Sequence, residues 1–318
     1  MISRKIYLVL CIITLMAILT GCGNQSAGSA KDVSKVVEET NSDMNNYFID
    51  DVVLNSGYKM PRLGLGTWTL SDETAEDCVY FAIKQGYRLI DTARYYGNER
   101  GVGNGVRKAI NDGIVKREEI FVTSKIMPGN YNNPDQAIDD SLKTLGLDYI
   151  DLMLIHQPGR NDEGVYKALE RGVKAGKIKS IGISNYYTPR EFDRIRKIAE
   201  IVPAVVQNEN HLFYQNMQLQ KYVKQYGTVI ESWYPFGGRG NTQEILNNSL
   251  ITDLAAKYKK TPAQIILRWH VQACYITIPG SKNPKHIAEN YDIFDFELSN
   301  DDMQQISNLN KNRRFENW

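Results

Sequence analysis

Short apolar runs alternate with longer amphipathic stretches along most of the chain, beginning near Phe48. Runs of about four to eight apolar residues predict buried strands, whereas apolar positions spaced three and four residues apart predict helices. A polar hairpin over residues 51–61, with Asn55-Ser56-Gly57 as its turn, is predicted first. Eight strand candidates follow, at residues 62–68, 87–92, 120–124, 150–155, 180–183, 204–208, 229–233 and 275–279.

Helices are predicted between these strands. One begins at Ser71 or Asp72, and others cover residues 135–145, 165–175, 189–200, 219–226 and 262–273. Several start with a cap residue followed by proline, as at Thr188-Pro189, which is a typical helix entry. Eight strands alternating with helices predict an α/β protein with a (β/α)8 TIM barrel and an N-terminal β-hairpin. A doubly wound open sheet is the alternative, but residues 64–68 lack the GxGxxG spacing that it needs after its first strand.

The first 21 residues predict a signal peptide. Arg4 and Lys5 precede an apolar run of about fifteen residues, which is shorter than a membrane-spanning helix requires. Residues 19–22 (Leu-Thr-Gly-Cys) resemble the lipobox of bacterial lipoproteins, and this resemblance implies that Cys22 carries a lipid. A simple signal peptide, or an uncleaved anchor with an incidental cysteine, is the alternative.

Residues 22–47 are polar and poor in large apolar side chains, which predicts a flexible tether. Residues 48–318 then form the barrel domain. Because basic residues precede the apolar run, we expect the rest of the protein on the extracytoplasmic side of the cell membrane, anchored there by lipid.

The composition excludes several function classes. The chain has 38 Lys and Arg against 37 Asp and Glu, so it offers no strongly basic surface for nucleic acid. Four cysteines in 318 residues exclude a disulfide-stapled scaffold, and we expect Cys78 and Cys274 to be buried thiols. The four histidines show no metal-binding spacing, so no metal site is expected. A barrel hydrolase would need paired carboxylates or a metal cluster at the strand ends, and the sequence indicates neither.

Four titratable residues stand at the predicted ends of neighbouring strands: Asp91, Tyr96, Lys125 and His156. Barrel enzymes place their chemistry at these ends, so the four side chains are expected to converge. A neighbouring ammonium lowers the pKa of a tyrosine, and a carboxylate keeps a buried ammonium charged. We therefore expect Asp91 to keep Lys125 charged and Lys125 to acidify Tyr96, the general acid. His156 is expected to orient the carbonyl oxygen of a substrate.

Three segments resemble signatures of the aldo-keto reductase family. They are GYRLIDTARYYGNE at residues 86–99, FVTSK at residues 121–125 and YIDLMLIHQP at residues 149–158. The resemblance extends from about residue 58 to residue 296, which is most of the chain after the tether. It implies NAD(P)H-dependent reduction of a carbonyl on a barrel, with Tyr96 as the general acid.

The resemblance also implies a cradle for the nicotinamide half of the cofactor. Ser184, Asn185 and Gln207 match the residues that bond the carboxamide group, which both donates and accepts hydrogen bonds. Ser-Asn after a strand is also ordinary turn chemistry. Trp233 falls where the family places an aromatic ring against the nicotinamide.

Residues 278–290 are similar to the family's segment for the adenosine phosphate. Ser281, Lys282 and the N-terminus of the following helix are expected to form an anion site, which favours NADPH, with NADH as an alternative. His286 stands where many members carry arginine, and this weakens the expected preference for NADPH. Glu289 and Asn290 are expected to contact the adenine.

Trp68, Tyr95 and Met127 are expected to flank the substrate pocket, and a small aldehyde or ketone is expected to bind there. The family resemblance favours a monomer. The predicted export of the protein conflicts with its predicted reaction, because reduced nicotinamide cofactors are found in the cytoplasm. Export of a folded holoenzyme by the twin-arginine route would resolve the conflict. The alternative function is that of a membrane-anchored binding lipoprotein on a redox-inactive scaffold.

Overall fold

The computed structural model describes residues 51–316, so the predictions for residues 1–47, including Cys22, concern a segment outside the described part. The described chain opens with the predicted hairpin. Strand β1 (Asp51–Val53) pairs antiparallel with β2 (Lys59–Pro61), and Val52 lies opposite Met60. Leu54 and Met60 pack against the first interior residues of the barrel, Leu89 and Phe121. The hairpin therefore covers the N-terminal end of the barrel.

Eight parallel strands follow in sequential order, as predicted. They are β3 (Leu65–Gly66), β4 (Leu89–Asp91), β5 (Phe121–Ile126), β6 (Ile150–Ile155), β7 (Ile178–Ser184), β8 (Val205–Glu209), β9 (Val229–Trp233) and β10 (Ile276–Thr277). Parallel bridges from Leu63 to Thr277 and from Gly66 to Gly280 join the first strand region to the last. These bridges close the sheet into a barrel, which confirms the predicted fold.

Helices surround the strands. They are α1 (Asp72–Gln85), α2 (Glu99–Asn111), α3 (Pro134–Leu145), α4 (Asp162–Lys174), α5 (Pro189–Arg196), α6 (Met217–Val223), α7 (Thr242–Leu246), α8 (Ser249–Tyr258), α9 (Pro262–Gln272), α10 (Pro284–Tyr291) and α11 (Asn300–Ser307). The predicted caps Ser71 and Thr188 are present, and Thr261 caps α9 in the same way: each side chain accepts from a backbone N–H in the first turn of its helix.

Helix α2 is not evident from the sequence pattern, because it contains glycines that disfavour helix formation. The packing explains them. A Cβ atom at Gly101 would overlap the carbonyl oxygen of Asp72 at the start of α1, and one at Gly103 would overlap the carbonyl oxygen of Leu145 in α3. The glycines thus let α2 approach the backbones of its two neighbours.

Cys274 is exposed and adopts a left-handed conformation after α9, so the prediction of a buried thiol is wrong there; Cys78 is buried in α1, as predicted. The turn at Cys274 ends the helix, which rotates the side chain off its apolar face. Between residues 51 and 316, no helix is both long and apolar enough to cross a membrane. Over the same residues, no group of three His, Cys, Asp or Glu side chains is arranged to hold a metal ion.

Candidate active site

Side chains alternate between the two faces of each strand, and this alternation decides which residues enter the barrel. Apolar interior residues of the strands are followed, two or four positions later, by titratable ones. The pairs are Leu89 and Asp91 on β4, Phe121 and Lys125 on β5, and Leu154 and His156 after β6. Tyr96 lies in a short 3-10 helix, Arg94–Tyr96, in the loop after β4. The four predicted residues therefore meet at the C-terminal end of the barrel.

Lys125 is the centre of the group. Its side chain is 0% exposed, and its Nζ donates to Asp91 Oδ1 at 2.6 Å and to the Thr92 carbonyl oxygen at 3.0 Å. The third partner of Nζ is the hydroxyl oxygen of Tyr96, at 3.0 Å. The three donors of the ammonium are thus all engaged, and one of them points at the phenol.

The pKa values of Lys125 and Asp91 follow from burial and charge. Burial tends to lower the pKa of Lys125, but Asp91 and Tyr96 outweigh it and raise that pKa to about 12. Burial raises the pKa of Asp91, while the ammonium acts in the opposite direction. Lys125 therefore stays charged at neutral pH.

The pKa of Tyr96 differs from the expectation. Burial raises it to about 12, and the ammonium of Lys125 only opposes that rise. The charge argument has the right sign, but desolvation of the phenolate is the larger effect at this site. Tyr96 is consequently protonated at neutral pH and holds the proton that a general acid must donate.

His156 packs edge-on against Tyr96, with ring centroids 5.7 Å apart. Burial, followed by the charge of Lys125, lowers the pKa of His156 to about 3, so the ring is neutral. Its Nδ1 is buried, and no residue of the described part forms a hydrogen bond with it. Since an unpaired acceptor is tolerated better than an unpaired N–H, the tautomer with the proton on Nε2 is favoured. That proton is available to a substrate oxygen.

A cavity of about 500 Å³ opens above these residues. Its wall contains most of the residues predicted from the sequence: Asp91, Tyr96 and His156; Ser184, Asn185, Gln207, Trp233, Ser281 and Lys282; and Trp68, Tyr95 and Met127. The apolar part of the wall is thus combined with amide, hydroxyl and ammonium groups. This combination is typical of a site that orients a polar ligand.

Two carboxyl groups hold the amide of Gln207 in place. Its Nε2 donates to Asp91 Oδ2 at 2.8 Å and to Glu231 Oε2 at 2.9 Å. Asn185 has a left-handed backbone with φ of 66°, and its Nδ2 donates to the His156 carbonyl oxygen at 2.8 Å. Both amides are therefore fixed by the barrel and not by solvent.

The structure does not bring every predicted cofactor residue to the cavity. His286, Glu289 and Asn290 lie on α10, outside the cavity wall; His286 is exposed and Asn290 is buried. Ser281 and Lys282, which precede α10 in the chain, do lie on the cavity wall.

Other wall residues were missed from the sequence. Tyr234 has φ of 53°, and its hydroxyl accepts from Trp68 Nε1 at 3.1 Å. Phe236, in the loop after β9, and Thr242, the first residue of α7, extend the wall. A positive φ at a tyrosine has no signal in the sequence, whereas the Gly237-Gly238 pair beside it indicates an irregular loop.

A buried tyrosine–lysine–aspartate group beside a neutral histidine, at the mouth of a parallel barrel, can donate a proton to the oxygen atom of a bound ligand. The aldo/keto reductase family model matches residues 62–311. The chain therefore belongs to the aldo/keto reductase family and is an oxidoreductase of that family, as the sequence resemblance implies.

Individual relatives agree with this assignment. A glyoxal reductase of Bacillus subtilis is 42% identical, over 83% of this chain and 94% of its own length. An NAD(P)H-dependent D-xylose reductase of Candida tropicalis is 40% identical, over 84% of this chain and 94% of its own length. The crystal structure of MGS-M4, an aldo-keto reductase from a deep-sea metagenome library, superposes with a TM-score of 0.79 at 36% identity, covering 84% of this chain and 97% of that one.

Proposed function

We propose that the protein reduces a small aldehyde or ketone to an alcohol, with Tyr96 as the general acid. The observation that carries the proposal is the 3.0 Å contact between the Tyr96 hydroxyl and the buried Lys125 ammonium on the cavity wall. NADPH is the cofactor, with NADH as an alternative, in keeping with the relatives described as NAD(P)H-dependent.

The residues of the wall suit this cofactor. Ser184, Asn185 and Gln207 present a hydroxyl and two amides to a carboxamide, and Trp233 offers a ring face. The Ser281 Oγ accepts from the Asn283 N–H at 3.0 Å, so its own hydrogen remains free to donate to a phosphate oxygen. Lys282 adds a positive charge there, which favours a 2′-phosphate.

When bound, NADPH supplies the hydride. Tyr96 donates its proton to the carbonyl oxygen as negative charge develops on that atom. Lys125 stabilises the phenolate that remains, and Asp91 keeps Lys125 charged in the low-dielectric interior. Neutral His156 donates a hydrogen bond to the same oxygen and orients it toward Tyr96. The aromatic rings of Trp68 and Tyr95, stacked at a centroid distance of 5.8 Å, shield one side of the cavity from water.

The substrate class is a small carbonyl compound, since the wall formed by Trp68, Tyr95 and Met127 is largely apolar and aromatic. Relatives described as glyoxal and methylglyoxal reductases support small aldehydes as the first compounds to assay. We propose that the protein acts as a monomer, which size-exclusion chromatography with light scattering tests directly.

A fluorescence titration tests the cofactor assignment without knowledge of the substrate. Because Trp68 and Trp233 line the cavity, NADPH is expected to quench the intrinsic fluorescence of the full-length protein at micromolar concentration. NADH is expected to bind about tenfold more weakly, the equivalent of one phosphate contact. Binding of neither dinucleotide would contradict the assignment and favour a binding lipoprotein on a redox-inactive scaffold.

We propose that the protein is a lipoprotein held on the extracytoplasmic side of the membrane through Cys22. The lipobox-like residues 19–22 support this proposal. Cells grown with labelled palmitate are expected to label the wild-type protein but not the Cys22→Ala variant. Equal labelling of both proteins would contradict the proposal. Loss of this labelling in a host that lacks the twin-arginine pathway would show export by that route, and unchanged labelling would show export of the unfolded chain.

A further inference from the structure

Glu231 is a fully buried carboxyl group for which the proposed reaction has no role. It lies in the middle of β9, two residues before Trp233, and pairs in register with Gln207 on β8 and Ile276 on β10. Its side chain shares the interior face with Val229, which packs in the barrel's lower core. Burial of a carboxyl group is costly unless other groups hold it, so a purely packing role at this position would favour an apolar residue.

The one side-chain hydrogen bond of Glu231 among the described residues is with the amide of Gln207. Oε2 accepts from Gln207 Nε2 at 2.9 Å, and Oε1 is buried with no donor among residues 51–316. The same Nε2 donates to Asp91 Oδ2 at 2.8 Å. An amide nitrogen carries two hydrogens, and two carboxyl groups therefore take both.

This arrangement decides how the amide of Gln207 faces the cavity. The reverse orientation would set Oε1 against Asp91 Oδ2, oxygen to oxygen, and would leave Nε2 without its two acceptors. Oε1 is consequently held on the side away from the carboxyl groups. Gln207 lies on the cavity wall, and no residue of the described part donates to Oε1. The cavity is thus offered a fixed acceptor.

We propose that Glu231 is a positioning residue for cofactor recognition: with Asp91, it locks the Gln207 amide so that Oε1 accepts from the carboxamide N–H of a nicotinamide ring. This inference rests on the proposed function. Burial, followed by the negative charge of Asp91, raises the pKa of Glu231 to about 8. Both the neutral and the ionised carboxyl group retain an oxygen that accepts a hydrogen bond, so the lock persists across this pKa.

Three substitutions of Glu231 separate the effect of its hydrogen-bond acceptor from the effects of its size and its charge. Glu231→Gln keeps an oxygen at the same reach and removes the charge. Glu231→Met keeps the approximate volume and removes the acceptor. Glu231→Asp keeps the carboxyl group but withdraws it by one methylene, beyond the reach of Gln207 Nε2. Thermal unfolding and circular dichroism check that each full-length variant is folded.

The test is an equilibrium fluorescence titration with NADPH and with its 3-acetylpyridine analogue, in which an acetyl group replaces the carboxamide and no N–H is present. We expect the Met and Asp variants to bind NADPH about tenfold more weakly than wild type, which is the effect of one hydrogen bond. The Gln variant is expected to stay within about twofold of wild type, since its oxygen replaces the lost acceptor. None of the three is expected to change the affinity for the analogue.

Three outcomes would overturn the inference. If the wild type binds neither dinucleotide, the proposed function fails and this inference fails with it. If the wild type binds NADPH and the Met and Asp variants bind it equally well, only the role of Glu231 is overturned. If the Met and Asp variants bind NADPH and the analogue with equally weakened affinity, the effect of the substitutions is a general structural one. If the Met variant does not fold, the Asp variant alone decides.

Discussion

Replacing Tyr96 with Phe is expected to reduce the rate of carbonyl reduction by about 10³-fold, within the range that a positioned general acid supplies. The substitution removes only the hydroxyl oxygen that lies 3.0 Å from Lys125 Nζ. Because burial raises the pKa of Tyr96 to about 12, the hydroxyl is protonated from pH 6 to pH 9. The loss should therefore be the same across that range. Steady-state assays of NADPH oxidation with glyoxal measure it.

The matched control for this variant is Tyr95→Phe. Tyr95 is the neighbouring residue, is 53% exposed and stacks on Trp68, but its hydroxyl has no assigned role in proton transfer. The Tyr95 variant should retain most of the activity, and both variants should bind NADPH as the wild type does. A Tyr96→Phe enzyme with near-normal turnover would remove Tyr96 from the mechanism.

Replacing Lys125 with Met should damage both activity and stability. The ammonium is the partner that opposes the burial-raised pKa values of Asp91 and Tyr96, so its loss makes the phenol a weaker acid. Breaking a buried ion pair on one side costs about 3–5 kcal/mol, because the remaining charge is uncompensated. We expect the free energy of unfolding at pH 7, measured with urea, to fall by that amount and turnover to fall at least about 10²-fold.

The double variant Asp91→Asn with Lys125→Met separates the two effects. With both charges removed, no buried carboxylate is left unpaired, so stability should recover by about 2 kcal/mol or more relative to Lys125→Met alone. Activity should not recover, since the ammonium beside Tyr96 is still missing. If Lys125→Met were as stable as the wild type, the ion pair would not be the structural centre of the site.

The barrel was predictable because its strands are buried on both faces and appear as short apolar runs. The predicted strands at residues 150–155 and 229–233 match β6 and β9 at both ends. Helix α2 was not predictable, since Gly101 and Gly103 lower helix propensity locally. Their value appears only once α1 and α3 lie close enough for a Cβ atom to overlap their carbonyl groups. Tertiary packing thus outweighs local preference in α2.

The residues of the candidate site were predictable where a titratable residue stands at or just after the end of a strand. Asp91, Lys125 and His156 each come at or after the end of an apolar run, so their convergence follows from the topology alone. Glu231 lies inside a strand, and its contact with Gln207 follows only from the register between β8 and β9. A charged residue within a buried strand was the available signal. The burial that raises the pKa of Tyr96 against the effect of Lys125 cannot be obtained from residue order.

Transfer of deuterium from NADPH to the product measures the proposed carbonyl reduction itself. The full-length protein is incubated with glyoxal and with NADPH that carries deuterium at nicotinamide C4, prepared separately in each of its two stereochemical forms. Mass spectrometry then follows the alcohol product. We expect one deuterium on the new carbinol carbon from one of the two forms, and at least about 10³-fold slower labelling by Tyr96→Phe. An alcohol without deuterium from either form, or equal labelling rates in the two proteins, would contradict the proposed reaction.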